Sequence, residues 1–250
     1  MDIVVCIKRV PATDAAIKIA ADGKSIDTAG VQFELNAYDE FALEQGLRIK
    51  EQLGAGSVTV VTIGPKEAQK ELRDTLARGA DKAVLLVTDK WMFDPASTAQ
   101  ALAAWIKTVP CQLVLCGRQA VDADNNQLPA NLATRLGFAC ITEVSKLTLE
   151  NGKFTAERDI EGGREIVGCG TPAVISCHKG LNEPRYANLK GIMAAKKKPL
   201  EEKAAELPAP AVEIMAIALP PARAAGRILG QGKEAVPALI AALRNEAKAL

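Results

Sequence analysis

Histidine is nearly absent from this sequence, since His178 is the only one in 250 residues. No CxxC pair occurs among the six cysteines, and no GxSxG segment is present. Metal sites usually need several Cys, His or carboxylate ligands at short spacing, and many Ser–His hydrolases place their nucleophile on a GxSxG turn. These absences argue against a metalloenzyme and a hydrolase, so we predict neither a metal site nor a catalytic residue.

An excess of charge and a long apolar run are also missing. The formal net charge of +1 gives no overall field to attract nucleic acid or a membrane surface. No apolar run approaches the roughly 20 residues of a membrane-spanning helix, and no signal peptide precedes the first apolar segment. We therefore expect a cytoplasmic protein with reduced cysteines, without nucleic-acid partners and without insertion into a membrane.

Short apolar runs alternate with helical segments over the first half of the chain. The runs predict strands buried on both faces, at residues 2–7, 57–63, 83–87 and 113–116. The segments between them have helical periodicity: Asn36 can cap one helix, and Ala68, Leu72 and Leu76 face inward from the next. The alternation predicts an α/β fold with a doubly wound, mostly parallel sheet, which is a Rossmann-like nucleotide-binding fold.

The pattern changes in the second half of the chain. Residues 153–168 alternate around a Gly-Gly turn and predict an antiparallel hairpin, while residues 173–177 predict another buried strand. Residues from 200 onward are rich in Ala, Pro, Glu and Lys, which predicts an extended arm. Residues 234–249 then carry the apolar stripe of an amphipathic helix, which needs a surface to cover.

Residues 112–136, QLVLCGRQAVDADNNQLPANLATRL, form the most informative stretch. A buried strand ends at Gly117, a polar loop follows, and a helix starts with Asn125 or Asn126 as N-cap and Pro129 in its first turn. In an open parallel sheet such a loop lies in the crevice beyond the strands, where helix amides favour phosphate. Because the loop lacks a glycine fingerprint, a nucleotide site and an ordinary strand-to-helix connection both stay open.

Three separated segments together resemble the electron transfer flavoprotein beta subunit. VVCIKRVP with ELNAYDEFALEQGLRIKE is similar to the start of that family, GRQAVDADNNQ to its nucleotide loop, and LNEPRYANLKGIMAAKKKP to its partner-docking loop. Order and spacing agree, and the resemblance covers essentially all of residues 1–200. NEPRYANL is the most specific segment.

The resemblance implies a heterodimer with an electron transfer flavoprotein alpha subunit. In that family the alpha subunit holds most of the FAD, while the beta subunit contains an AMP without a redox role and embraces alpha with its arm. The pair carries electrons from acyl-CoA or related dehydrogenases, as in fatty acid oxidation, to a quinone reductase. This chain would then be an electron carrier subunit rather than an enzyme with its own substrate.

Two alternatives accompany this interpretation. In a minority branch of the family, the beta subunit binds a second FAD and the complex bifurcates electrons from NADH, although ELNAYDE resembles the AMP branch. The other alternative is a nucleotide-hydrolysing or nucleotide-transferring enzyme of similar fold. Its usual phosphate signatures, GxxxxGK[ST] or a Ser-Gly-Gly loop, are absent.

The resemblance also places nucleotide contacts residue by residue. They fall on Cys6, Asn36, Ala37, Tyr38, Asp39, Ile63, Gly117, Arg118, Gln119, Ala120, Val121, Asp122, Ala123, Asp124, Asn125, Asn126, Gln127 and Leu128. Leu128-Pro129 departs from the Thr-Gly that AMP-binding members commonly have, which removes a hydroxyl and an amide. Asn126 and Gln127, with Arg118 nearby, must therefore hold more of the phosphate, and the choice between AMP and FAD stays open.

Partner contacts follow from the same resemblance. The docking loop spans residues 181–199, and its contacts are Pro184, Arg185, Tyr186, Leu189, Ile192 and Met193. Leu189 would enter a pocket on the dehydrogenase, with Ile192 and Met193 on the same face of a short helix. Asp159 matches the acidic residue near the alpha subunit's flavin arginine. The predicted division is therefore a nucleotide-binding domain, 1–199, and an arm that packs on alpha, 200–250.

Overall fold

The computed structural model describes residues 1–89, 94–222 and 225–250, so two residues of the predicted arm, 223 and 224, lie outside the described residues. The strands are β1 (Asp2–Cys6), β2 (Arg9–Pro11), β3 (Lys18–Ile19), β4 (Ile26–Asp27), β5 (Phe33–Leu35), β6 (Ser57–Gly64), β7 (Lys82–Val87), β8 (Leu113–Gly117), β9 (Ala139–Glu150), β10 (Lys153–Ile160), β11 (Gly163–Gly170), β12 (Ala173–Cys177) and β13 (Leu200–Ala204). The α-helices are α1 (Ala37–Leu53), α2 (Gln69–Arg78), α3 (Pro95–Ile106), α4 (Leu128–Leu136), α5 (Leu189–Ala195) and α6 (Val236–Asn245).

One large sheet organises the fold. Its nine strands follow the order β11-β10-β9-β12-β8-β1-β6-β7-β13. The strands from β9 to β13 in this order pair in parallel, whereas β10 is antiparallel to both of its neighbours. Helices α1 and α2 pack on one face of the sheet, and α3 and α4 pack on the other. The predicted α/β class with a mostly parallel sheet is therefore confirmed.

The strand order reverses beside β1. From β1 the chain builds outward through β6 and β7, and it then returns to β8 on the other side of β1. Val5 of β1 faces the α1 side, while its neighbours Val4 and Cys6 face α3 and α4. Since the two crossover connections diverge at this point, their helices leave a crevice at the carboxyl ends of β1 and β8.

The sequence pattern does not predict strand β9. Its buried apolar residues are Ile141, Val144 and Leu149, which are three and five positions apart rather than an even number. A strand places alternate residues on one face, so this spacing needs a register shift. One shift lies between Ile175 and Cys177 of the neighbouring β12, where β9 contains an extra residue. A second lies between Glu157 and Arg158 of β10, which pair with Lys146 and Val144 of β9.

The sheet also continues past the predicted domain boundary. The sequence predicts that the arm leaves the sheet at residue 200, but Leu200–Ala204 form β13 and pair in parallel with β7. The arm then ends in α6, where Val236, Leu239 and Ile240 are 42–48% exposed. In the described part of the chain, no helix is both long enough and apolar enough to cross a membrane.

Candidate functional site: a cleft at the switch point

A cleft opens where the ends of β1 and β8 meet the start of α4. Its empty space is about 760 Å³, a volume that includes space open to solvent. Predicted contacts that line this switch-point cleft are Cys6, Asp39, Ile63, Gly117, Arg118, Gln119, Ala120, Ala123, Asn125, Asn126, Gln127 and Leu128. The structure thus brings most of the predicted nucleotide residues together.

The cleft lining differs from the prediction in two respects. Six predicted residues do not line it: Asn36, Ala37, Tyr38, Val121, Asp122 and Asp124. Seven residues line it without having been predicted as contacts: Ile7, Lys8, Pro95, Thr98, Leu102, Cys116 and Pro129. Three of these unpredicted residues lie on one face of α3. Their spacing of three and four residues places them on one face of the helix, but sequence periodicity does not reveal which crevice a helix covers.

Asn36 is wrongly predicted as a side-chain cap of α1. Its side chain makes no cap hydrogen bond. Instead, its Nδ2 donates to the Gln119 carbonyl at 2.9 Å and its Oδ1 accepts from the Val121 amide at 3.1 Å. Asn36 is fully buried, because the loop at 118–127 lies directly over it. The side chain therefore fastens that loop to the start of α1.

Asp39 joins the ends of the two strands that form the floor of the cleft. Its Oδ2 accepts from the Lys8 amide at 2.7 Å, and its Oδ1 accepts from the Gly117 amide at 3.0 Å. Burial raises the pKa of Asp39 to about 7, although the amide hydrogen bonds oppose the increase. A Cβ at Gly117 would lie 2.3 Å from Asp39 Oδ1, so the close approach requires glycine at this position.

The positively charged side chains at the cleft are paired within the chain. Lys8 Nζ lies 2.7 Å from Asp122 Oδ2. Arg118 was expected near a phosphate, but its Nε lies 3.0 Å from Glu143 Oε2 and its Nη1 lies 2.7 Å from His178 Nε2. Any phosphate in the cleft would therefore compete with two carboxylates for these cations.

The start of α4 forms another wall of the cleft. The N-cap is Gln127, without a side-chain cap bond, so the predicted caps Asn125 and Asn126 are wrong. Asn126 has a left-handed backbone, φ 55°, and its Nδ2 donates to Glu143 Oε1 at 2.7 Å. Its side chain is thus turned toward β9 instead of the helix. Pro129 lies in the first turn of α4, as predicted.

The predicted docking loop begins with two residues bound to α1. Asn182 Nδ2 donates to the Phe41 carbonyl at 3.0 Å, and the Arg185 guanidinium pairs with Glu44 and Glu51. Arg185, predicted as a partner contact, is thus engaged within this chain.

The residues that follow are open to solvent. Tyr186, Leu189 and Met193 are 90%, 82% and 63% exposed, and Ile192 is 44% exposed. Asn188 caps the short helix α5 by accepting from the Gly191 amide at 2.8 Å. The loop therefore presents an apolar surface from a fixed base.

Two other sequence predictions concern residues outside the cleft. Asp159 lies in β10, where its Oδ1 accepts from Arg164 Nε at 2.9 Å. Among the residues that the structure describes, no group of three or more His, Cys, Asp or Glu side chains is arranged to hold a metal ion.

Fold and cleft together define a doubly wound α/β protein with a crevice at its switch point, a class that binds nucleotides in this position. A family profile described as "Electron transfer flavoprotein domain" matches residues 24–208. "Electron transfer flavoprotein subunit beta" of Bacillus subtilis (strain 168) is 38% identical over 260 aligned positions, covering 100% of both chains. The Bradyrhizobium diazoefficiens protein of that name is 36% identical over 250 positions, again covering 100% of both.

A plant relative agrees with these matches. "Electron transfer flavoprotein subunit beta, mitochondrial" of Oryza sativa subsp. indica is 36% identical over 257 positions and 100% of both chains. The chain belongs to the electron transfer flavoprotein beta subunit family. The resemblance recognised in the three sequence segments is therefore confirmed, and the subunit name implies an alpha subunit as partner.

Proposed function

We propose that this chain pairs with its alpha subunit as an electron carrier and that the switch-point cleft holds an AMP with a structural role. The observation that carries the proposal is the convergence of β1, β8 and the first turn of α4 on one cleft lined by most of the predicted contacts. FAD, held mainly by the alpha subunit, supplies the redox chemistry. The chain itself binds and orients, without turnover of its own.

The donors available in the cleft suit a nucleotide with one phosphate. The first turn of α4 offers backbone amides to an anion, but Pro129 has no N–H. Lys8 and Arg118 are already paired with carboxylates, so a pyrophosphate would meet few unengaged cations. Ile63, Leu102 and Leu128 provide apolar surface for a base. These features favour AMP over a second FAD.

The electron partners belong to the same proposal. Acyl-CoA or related dehydrogenases would deliver electrons, and a quinone reductase would accept them, in the cytoplasm. The apolar end of the docking loop supports this arrangement, because Tyr186, Leu189 and Met193 are exposed to solvent in the described chain. A patch of this kind on a fixed loop suits a transient partner.

The ligands released by acid from the purified alpha–beta complex test the nucleotide. We expect one AMP and one FAD per heterodimer. Two FAD molecules without AMP would instead establish the bifurcating alternative, and ATP turnover by the isolated chain would revive the enzyme alternative. A complex that releases FAD alone, with no nucleotide in this subunit, would contradict the proposal.

A bulky side chain on α3 tests the location of the nucleotide. Thr98 lines the cleft, whereas Ala104 lies on the exposed side of the same helix. Thr98→Phe should reduce the AMP content of the complex, and the matched Ala104→Phe should retain it. Asn126→Ala with Gln127→Ala should also lower AMP content and, through lost ligand binding, the melting temperature. Full AMP content in both cleft variants would refute the site.

A further inference from the structure

Glu143 has a left-handed backbone in the middle of a strand. Its φ is 62°, a conformation that glutamate rarely adopts. Ile175 pairs with Ile141 and Cys177 pairs with Val144, so Ser176 opposes two residues of β9. The Glu143 amide donates to Ser176 Oγ at 2.9 Å. This is a β-bulge, a feature that redirects a side chain out of its regular alternation.

The redirected carboxylate contacts both ends of the loop at 118–127. Glu143 Oε1 accepts from Asn126 Nδ2 at 2.7 Å, and Oε2 lies 3.0 Å from Arg118 Nε. The side chain is only 18% exposed, so water competes weakly for the hydrogen bond from Asn126 and the ion pair with Arg118. Asn126 is itself left-handed. One carboxylate thus joins the start of the loop to the residue that precedes the N-cap of α4.

We propose that Glu143 is a positioning residue, which holds the loop at 118–127 in its nucleotide-binding conformation without touching the nucleotide. Glu143 does not line the cleft, whereas Arg118 and Asn126 do. A loop that is already ordered loses less conformational freedom on binding, which increases affinity. Asn36 binds the middle of the same loop, whereas Glu143 binds both ends of the loop. The inference rests on the proposed function, because it presupposes a nucleotide in the cleft.

Three variants of the alpha–beta complex distinguish a residue that positions the loop for the nucleotide from one that only stabilises the fold. Glu143→Gly removes the carboxylate and relieves the left-handed strain. Glu143→Gln keeps a carbonyl oxygen for Asn126. Asn151→Gly is the matched control, since Asn151 is also left-handed, φ 50°, but lies in the turn between β9 and β10. AMP is titrated into each nucleotide-free complex by calorimetry, and the melting temperature is measured without AMP.

We expect Glu143→Gly to raise the Kd for AMP about tenfold, as loss of a shielded hydrogen-bond partner does, without lowering the melting temperature of the nucleotide-free complex. Glu143→Gln should recover most of the affinity, and Asn151→Gly should bind AMP like the wild type. An unchanged Kd in Glu143→Gly would overturn the positioning role. So would a result in which both Glu143 variants bind AMP equally weakly and both melt at an equally lowered temperature. A wild-type complex that binds no AMP would instead refute the proposed function.

Discussion

Arg185 and Glu44 form a two-pronged ion pair between the docking loop and α1. Arg185 Nε lies 2.7 Å from Glu44 Oε2, and Nη2 lies 3.1 Å from Oε1. Glu44 is only 3% exposed. Burial alone would raise the pKa of Glu44, but hydrogen bonds from Arg185 and Arg48 outweigh it and lower that pKa. The base of the docking loop is therefore fixed electrostatically to the helix beneath it.

Arg185→Ala should leave Glu44 with Arg48 and the backbone amide of residue 185 as its remaining partners. We expect the free energy of unfolding at pH 7 to fall by about 1–3 kcal/mol, because a largely buried carboxylate loses the two hydrogen bonds from the guanidinium. Arg164→Ala is the control. Its pair with Asp159 is solvent-exposed, so the loss should stay below about 1 kcal/mol. Urea unfolding measures both variants.

The same pair predicts a dependence on pH. The pKa of Glu44 is lowered in the folded state, so its contribution is present above the unfolded pKa and is lost as the pH falls through the folded pKa. The stability difference between wild type and Arg185→Ala should therefore shrink as the pH drops from 7 to below 4. A difference that is constant over this range would show that the ion pair is not its source.

Leu189→Ala tests the docking loop. Leu189 is 82% exposed, so its truncation should leave melting temperature and flavin content unchanged. If Leu189 anchors the dehydrogenase, electron transfer from that partner should slow by roughly tenfold or more. Leu53→Ala, an exposed leucine at the end of α1, provides the control for apolar truncation elsewhere. A Leu189→Ala complex that melts early yet accepts electrons normally would exclude the docking role.

Asp39→Asn tests the charge under the cleft. The raised pKa of Asp39, about 7, means that the folded state holds a proton between that pH and the unfolded pKa. The stabilisation that arises from this raised pKa is therefore fully present below the unfolded pKa of Asp39, and it declines as the pH rises through about 7. In Asp39→Asn the decline in melting temperature between pH 5 and 8 should become smaller. Asp22→Asn, an exposed site with a lowered pKa, should leave that slope unchanged.

Removal of residues 207–250 tests the arm. Since β13 belongs to the sheet, the truncation point must lie beyond it. We expect the shortened chain to fold with an unchanged sheet but to fail in pairing with the alpha subunit, because α6 and its exposed apolar residues are gone. Size-exclusion chromatography of the mixed subunits measures pairing. Normal heterodimer formation would show that the arm does not hold alpha.

Local pattern was sufficient for much of the fold. The strands at β1, β6, β7 and β8, and the inward face of α2, follow from apolar runs and helical periodicity, which depend on neighbours in the sequence. The hairpin of β10 and β11 was likewise predicted from its turn. The motifs that carried the family resemblance are also contiguous, so they too were readable without a structure.

The sequence by itself therefore determined the fold class, the family and most of the cleft lining, whereas the tertiary structure decided what holds the cleft together. Asn36 was expected to cap a helix, yet its side chain binds Gln119 and Val121. Arg118 was expected near a phosphate, and the structure adds an ion pair with Glu143. Nothing in local periodicity marks the bulge at Glu143, because it arises from the register between β9 and β12. Such pairings join residues far apart in the chain, and only packing of the complete sheet selects them.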